Sequence, residues 1–252
     1  MRKKKVLSKL NPLFFEGIAH RGLHTKDGIP ENSMAAFKNA IKNNVAIEFD
    51  VHITKDLIPV VFHDDTLTRM TGKDGVIEHL TLKELEEYHL PNGENLPLLE
   101  DVLKEVNEQI PIVLELKVVE KNYKLLAKIV KEMLDKYIKD KKNLLLISFD
   151  PRSLWPFSRC GYIRSLLCSY EKQYRYVYRF RHTVESVDLD QNYFKEYKYR
   201  KYVKRHFVNA WTIETMEQLA FIHPYVDTVT FQYLEIDDVR KILNYSRNLK
   251  KK

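Results

Sequence analysis

The sequence VAIEFDVHI at positions 45–53 decides the fold class. Apolar residues fill this stretch apart from Glu48, Asp50 and His52, a composition that favours a largely buried strand. Similar strand-type runs recur along the chain. The other seven lie at 17–20, 58–62, 110–119, 144–148, 163–168, 207–211 and 228–231.

Helical patterns separate most of these runs. Ser33 can cap a helix, residues 81–84 form a capping-box sequence, and 98–106 and 123–138 have helical periodicity. Alternation of strands and helices implies parallel pairing through helical crossovers. Eight such units predict a single-domain α/β protein with a closed, TIM-like (β/α)8 barrel. An open doubly wound sheet is the alternative, and the absence of a Gly-rich dinucleotide-binding loop from the sequence counts against it.

The chain of 252 residues carries 42 Lys+Arg and 35 Asp+Glu, a net charge of +7. Part of the excess lies at the two ends, where basic residues are usually solvated, although a basic surface also favours anionic partners. We expect a basic N-terminal segment over 1–15, a barrel domain over 16–246 and a basic tail over 247–252.

Two features indicate a cytoplasmic protein. No stretch reaches the roughly 18 apolar residues of a membrane span, and the apolar part of 6–15 is interrupted by polar residues and a proline, unlike a signal peptide. Cys160 and Cys168 are too few for a disulfide framework or a four-cysteine zinc site.

Two pairs of polar residues interrupt apolar strands. Glu48 and Asp50 are two residues apart, so they share one strand face, where two buried carboxylates repel each other and resist ionisation. A hard divalent cation would relieve this repulsion. Glu115 and Lys117 share one strand face in the same way, on the strand at 110–119. For either pair alone, a buried ion pair or an exposed strand face is the alternative to a functional site. We expect His52 to face outward.

Two histidines follow strands. His20 precedes Arg21 after the first run, and His63 follows the run at 58–62. With the three carboxylates they fit general acid–base chemistry on a phosphate, which the guanidinium of Arg21 and the ammonium of Lys117 could bind. A barrel would bring these strand ends to one face.

Several motifs occur in a fixed order along the first half of the chain. They are IAHRG at 18–22, PENS at 30–33, EFDVHITKD at 48–56, PVVFHDDTLTRMTG at 59–72, LPLLEDVL at 96–103 and ELK at 115–117. In this order they resemble the glycerophosphodiester phosphodiesterase family. A weaker match continues through ISFDP at 147–151 and VNAWT at 208–212.

The resemblance implies a barrel with a metal-dependent site at the carboxyl ends of its strands. It implies metal-dependent hydrolysis of a small glycerophosphodiester to glycerol 3-phosphate and an alcohol. One divalent ion, Mg²⁺ or Ca²⁺, is implied, and oxygen ligands suit both. The matching positions are His20 as general base, His63 as general acid, Glu48, Asp50 and Glu115 as metal ligands, Arg21 and Lys117 as phosphate contacts, Trp211 at the glycerol pocket, and Glu31 and Asn32 as site support.

Two other functions remain open on the sequence. A phospholipase D-like reaction on a lysophospholipid would use a similar two-histidine barrel. A non-catalytic binding protein with a relic site would have lost a histidine or a carboxylate, and none is missing.

The chain departs from the family at two places. The last strand carries Thr230-Phe231-Gln232 where the family commonly has a Thr-Asp pair. Residues 170–205 match poorly and hold eight tyrosines and ten Lys+Arg against five Asp+Glu. This segment could contact an anionic membrane weakly, but we favour a solvated helix or loop and expect no nucleic-acid partner. The oligomeric state is not indicated.

Overall fold

The computed structural model describes residues 2–169, 183–196 and 206–249. The strands are β1 Ile18–Ala19, β2 Ala46–Ile53, β3 Pro59–Val61, β4 Ile112–Leu116, β5 Leu144–Ser148, β6 Ile163–Cys168, β7 Ser186–Asp190, β8 Phe207–Ile213 and β9 Thr228–Phe231. The α-helices are α1 Arg2–Leu7, α2 Met34–Lys42, α3 Thr68–Thr71, α4 Leu82–Leu85, α5 Leu99–Val106, α6 Tyr123–Tyr137, α7 Pro151–Leu154, α8 Met216–Ile222 and α9 Ile236–Leu249. Short 3-10 helices cover Pro12–Glu16, Ile77–His79, Lys141–Asn143, Trp155–Phe157 and Gln191–Lys195.

Eight parallel strands form a closed barrel in the order β1, β2, β4, β5, β6, β7, β8, β9. The first strand closes it, because Ile18 pairs with Ala46 of β2 on one side and with Thr230 of β9 on the other. The predicted single-domain TIM-like (β/α)8 barrel is therefore confirmed.

The membership of the barrel differs from the prediction at two strands. The run at 58–62 contains a strand, but β3 pairs antiparallel with β2, with Val61 opposite Val51, and lies outside the barrel. Its place is taken by β7, which pairs with β6 and β8 inside the segment expected to be a helix or loop. The sequence of β7, SVDLD, alternates polar and apolar residues, so it lacks the continuous apolar run of the other strands.

The N-terminal end of the barrel is filled with apolar side chains. Val6, Leu10 and Phe14, from α1 and the residues after it, are buried in one cluster with inward-facing strand residues such as Val113 and Leu145. Because this end is packed with hydrocarbon, polar chemistry is confined to the carboxyl ends of the strands.

Alternation along the strands directs the other set of side chains toward the helices. Phe49 of β2, Leu114 of β4 and Leu146 of β5 are buried in the layer between strands and helices, together with Phe37 of α2 and Val130 of α6. Among the helices of the described ranges, none is long and apolar enough to cross a bilayer.

Candidate active site

Three buried carboxylates meet at the carboxyl ends of β2 and β4. The register sets Asp50 opposite Glu115, and Glu48 shares the inward face of β2 with Asp50. One oxygen atom from each of the three lies within 4.8 Å of the others. All three side chains are buried, so their mutual repulsion is poorly screened by water.

Burial makes full ionisation of this cluster unfavourable. It raises the pKa of Glu48 well above its ordinary value, and the charges of Asp50 and Glu115 raise it further. Burial also raises the pKa of Glu115 to about 7, although Lys117 opposes the change. The pKa of Asp50 is held below its ordinary value, because Lys117, His63 and Arg21 outweigh its burial. Without a cation, this cluster of oxygen ligands tends to keep protons. A hard divalent cation would fit such ligands and would let all three carboxylates ionise.

Arg21 and Lys117 flank the cluster. Arg21 has a left-handed backbone with φ of 51°, and its amide donates to Glu48 Oε2 at 3.0 Å. Its Nε lies 3.9 Å from Asp50 Oδ2, while the Nζ of Lys117 lies 3.7 Å from Asp50 Oδ1 and 3.2 Å from Glu115 Oε1. Two cations therefore border the three carboxylates, where an anionic phosphate could approach.

His20 lies directly after β1, on the Glu48 side of the cluster. Its Nε2 is 4.0 Å from Glu48 Oε2, and its Nδ1 is 2.7 Å from Gln232 Oε1. Burial, with a smaller contribution from Arg21, lowers the pKa of His20 to about 3. The imidazole is thus neutral near pH 7.

His63 follows β3 and is held by a neighbouring carboxylate. Its Nδ1 is 2.6 Å from Asp64 Oδ1, and Asp64 Oδ2 accepts from Arg69 Nε at 2.6 Å. Burial lowers the pKa of His63, while the charge of Asp50 opposes this. Burial would raise the pKa of Asp64, but Arg69 and His63 lower it to about 2, so this carboxylate stays ionised beside the imidazole.

Glu31 and Asn32 connect the two halves of the site. Glu31 Oε1 accepts from Arg21 Nη1 at 2.7 Å and from Arg69 Nη2 at 2.5 Å, so an ionic chain links Arg21 to Asp64. Asn32 donates from Nδ2 to Asp50 Oδ2 at 3.0 Å. Glu31 and Asn32 therefore contact other residues of the site directly. The sequence analysis assigned no role to Asp64 or Arg69. Both missed residues lie in the motif at 59–72, which was the available signal.

The sequence profile of the glycerophosphoryl diester phosphodiesterase family matches residues 20–225, more than half of the chain. The chain belongs to the glycerophosphoryl diester phosphodiesterase family. The resemblance inferred from the ordered motifs is confirmed.

Curated members of the family align with part of the chain. The glycerophosphodiester phosphodiesterase of Bacillus altitudinis is 32% identical over 152 residues, which are 56% of this chain and 60% of that protein. The glycerophosphodiester phosphodiesterase of Caldanaerobacter subterraneus is 36% identical over 100 residues, which are 36% of this chain and 40% of that protein. The chain spans about half the length of these curated relatives.

A solved structure in the family overlays on nearly the whole chain. The crystal structure of a glycerophosphodiester phosphodiesterase from Parabacteroides distasonis gives a TM-score of 0.76 at 26% identity. The overlay covers 91% of this chain and 97% of that one. The two proteins therefore share the barrel as a whole.

Trp211 lies near the carboxyl end of β8 and packs against Phe149. It follows the inward-facing Asn209 of β8, and its ring meets that of Phe149 edge to face at a centroid distance of 5.8 Å. A cavity of about 580 Å³ opens beside the carboxylate cluster, and its lining includes Glu115, Lys117 and Phe149. The cavity is thus lined by charged side chains and by an aromatic ring.

Gln232, where the last strand departs from the family pattern, contacts a histidine of the site. Gln232, directly after β9, contacts His20 through Oε1, and its Nε2 donates to Glu214 Oε1 at 2.5 Å. Its Oε1 also lies 3.3 Å from His24 Nε2. Sequence reasoning identified the departure but assigned no function to either Gln232 or Glu214.

Two other expectations concern His52 and the segment 170–205. His52 was expected to face outward, which is wrong: it lies two residues after Asp50, so it returns to the same strand face, and it is fully buried with Nδ1 2.8 Å from Glu78 Oε1. The basic and tyrosine-rich residues at 170–182 and 197–205 lie outside the described residues, so membrane contact through them stays a prediction.

Proposed function

We propose that this chain hydrolyses glycerophosphodiesters to glycerol 3-phosphate and an alcohol. The observation that carries the proposal is the convergence of three buried carboxylates, two cations and two histidines at one end of the barrel. Membership of the family supports the same reaction. Hydrolysis of a phosphodiester requires charge stabilisation, a proton acceptor and a proton donor, and this set contains all three.

Glu48, Asp50 and Glu115 would hold one divalent cation, Mg²⁺ or Ca²⁺. When bound, the cation would supply charge neutralisation at the phosphoryl oxygens. Arg21 and Lys117 would orient the phosphate, the first through a planar guanidinium and the second as a point charge. Glu31 fixes the direction of the Arg21 side chain by accepting from its Nη1.

His20 would act as the general base. Its pKa of about 3 keeps it neutral, and its Nδ1 is engaged by Gln232, so Nε2 is the nitrogen that accepts a proton. The proton would come from the attacking hydroxyl, either the neighbouring glycerol hydroxyl of the substrate or a water molecule. Attack by the glycerol hydroxyl would give a cyclic phosphate that water then opens.

His63 would act as the general acid. The ionised Asp64 accepts from Nδ1 and stabilises the imidazolium, which can then deliver the proton on Nε2 to the leaving alcohol oxygen. The burial that lowers the pKa of His63 strengthens it as an acid once it is protonated. The two histidines thus have opposite partners, a neutral amide for the base and a carboxylate for the acid.

A coupled assay for released glycerol 3-phosphate tests this function. The purified chain would be given a panel of glycerophosphodiesters, including sn-glycero-3-phosphocholine, with and without a chelator. We expect release that the chelator abolishes and that His20→Ala or His63→Ala reduces on the order of 10²–10⁴-fold. His79→Ala is the matched control, since His79 is exposed and pairs only with Glu120 among the described residues. Release that survives both the chelator and the two site variants would refute the proposal.

A further inference from the structure

The amide at the end of the last strand has a specific relation to the general base. We propose that Gln232 is a positioning residue which, together with Glu214, fixes His20 in the tautomer that carries its proton on Nδ1. This inference rests on the proposed function for the role of His20, but the tautomer itself is a property of the free protein. The arrangement leaves the lone pair of His20 on Nε2, toward the carboxylate cluster.

Main-chain pairing brings the three residues together. The amide of His20 donates to the carbonyl of Phe231 at 2.9 Å, which extends the β1–β9 pairing beyond the strand ends. The amide of Gln232 donates to the carbonyl of Ile213 at 3.0 Å, which ties the end of β9 to the end of β8 next to Glu214. Barrel closure therefore sets the spacing of the three side chains.

The chemistry of the donors and acceptors determines the proton position. A carboxylate accepts hydrogen bonds but does not donate them, so the Gln232 atom next to Glu214 must be Nε2. The other end of the same amide is then Oε1, which can only accept. His20 must therefore donate from Nδ1 across the 2.7 Å contact, and Nε2 is left without a proton.

The main chain of Glu214 is held in place. The side chain of Gln218 accepts from the amides of Glu214 at 2.7 Å and Thr215 at 3.1 Å, as part of the capping box that begins α8. The residue that orients the Gln232 amide is therefore tied to the start of a helix.

An amide suits this position better than a carboxylate would. Glu48, Asp50 and Glu115 already place three carboxylates in the buried cluster, and Glu48 lies 4.0 Å from the far side of the His20 ring. A further carboxylate at position 232 would add negative charge both to this region and beside Glu214. Gln232 provides the acceptor that orients the base without adding charge.

The test measures the tautomer and the activity separately. ¹⁵N-labelled histidine shifts at about pH 8, where a histidine side chain is neutral, report which ring nitrogen of His20 carries the proton. We expect the Nδ1–H form in the unaltered chain. We expect Gln232→Met to lose that preference and to lower kcat on the order of 10²-fold with little change in KM for sn-glycero-3-phosphocholine.

Two further variants keep the test decisive. The double variant Glu214→Gln, Gln232→Glu exchanges the side chains, so that a carboxylate accepts from His20 and an amide donates to that carboxylate. It should restore the Nδ1–H form and part of the lost kcat, since the carboxylate then lies nearer the buried cluster. Gln109→Met is the matched control at the opposite end of the barrel, where the amide donates to main-chain carbonyls, and it should change neither readout.

Three results would count against the positioning role of Gln232 or against the proposed function. An Nε2–H form of His20 in the unaltered chain would overturn the proposal, even if Gln232→Met did not fold. Retention of the Nδ1–H form or of full kcat in Gln232→Met would also overturn it. If the unaltered chain released no glycerol 3-phosphate, the proposed function would fail, while the tautomer measurement would still decide the positioning role.

Discussion

Replacement of Asp188 by asparagine should stabilise the protein at neutral pH. Asp188 points into the barrel from β7 and is fully buried. One carboxylate oxygen accepts from Ser165 Oγ at 2.6 Å and the other from Asn209 Nδ2 at 3.0 Å. These two neutral donors do not offset burial, which raises the pKa of Asp188 to about 6.

The expected magnitude follows from that pKa. Between the ordinary value of 3.8 and about 6, the folded protein keeps a proton that the unfolded chain has released. The free energy of unfolding therefore falls as the pH rises through this window, and the full cost is present above it. The difference between the two pKa values corresponds to about 3 kcal/mol, an upper value because buried carboxylates relax.

The local hydrogen bonds can accommodate the substitution. Asn209 Oδ1 is buried and has no hydrogen-bond partner among the described residues, so a flip of the Asn209 amide would let Oδ1 accept from the new amide at position 188. The hydroxyl of Ser165 can still donate to the oxygen that remains. Asp188→Asn thus removes the charge without removing the acceptor that Ser165 needs.

Urea unfolding at about pH 4 and about pH 7.5 measures the effect as a difference of differences. Other titrating groups cancel between the variant and the unaltered chain. We expect Asp188→Asn to gain 2–3 kcal/mol, as an order of magnitude, at the higher pH relative to the lower. Asp190→Asn is the matched control on the same strand, where either residue can cap the following 3-10 helix. An equal effect of Asp188→Asn at both pH values would refute the reasoning.

Three further predictions concern the active site. Mg²⁺ or Ca²⁺ at about 100 times Kd should stabilise the protein by about 2.7 kcal/mol in thermal unfolding, with release of protons seen by calorimetry in different buffers, and Glu115→Gln should weaken both effects. An unchanged melting temperature at saturating metal would contradict the metal site. A nitrophenol leaving group needs little protonation, so it should partly rescue His63→Ala but not His20→Ala; equal rescue would show that the two roles are wrongly assigned. Asp64→Asn should lower kcat on the order of 10–100-fold with little change in KM in steady-state kinetics, and an unaltered kcat would exclude a role for Asp64 in holding the acid.

The strands and the carboxylate pairs could be predicted because their signals are local. Strand alternation fixes which residues share a face, so Glu48 with Asp50 and Glu115 with Lys117 could be paired from the sequence. The same rule applies to His52, and the expectation that it faces outward was wrong. The strand β7 was missed because its inward residues are polar and the remaining apolar residues are too few to form a run. The role of the run at 58–62 was wrong because antiparallel pairing with β2 depends on the path of the chain.

The partners of the histidines depend on contacts between distant segments. Gln232 lies 212 residues from His20 in the chain, and only barrel closure brings them into contact. Glu31 was assigned to site support through the family resemblance, but its contact with Arg69 spans 38 residues and has no local signature. The ordered motifs identified most of the residues, whereas their hydrogen bonds required the fold.

Charge balance supports a divalent cation in the inner part of the site, at Glu48, Asp50 and Glu115. The three buried carboxylates face Arg21 and Lys117, which leaves one negative charge in excess, and a bound phosphodiester would add another. One divalent cation would cancel both. Without it, the raised pKa of Glu48 means that a proton compensates part of the excess.

The two histidines of the site have partners of different charge. Glu31 and Asp64 are negative, and Arg69, which bonds to both, carries one positive charge. The remaining negative charge lies at Asp64, 2.6 Å from His63 Nδ1, where it would balance the charge of His63 whenever that ring is protonated. Burial and the neighbouring Arg21 lower the pKa of His20 and favour the neutral ring, although the hydrogen bond to Gln232 opposes them. In the proposed reaction His20 would take up one proton and His63 would deliver one, and an amide partner for the first and a carboxylate partner for the second suit those roles.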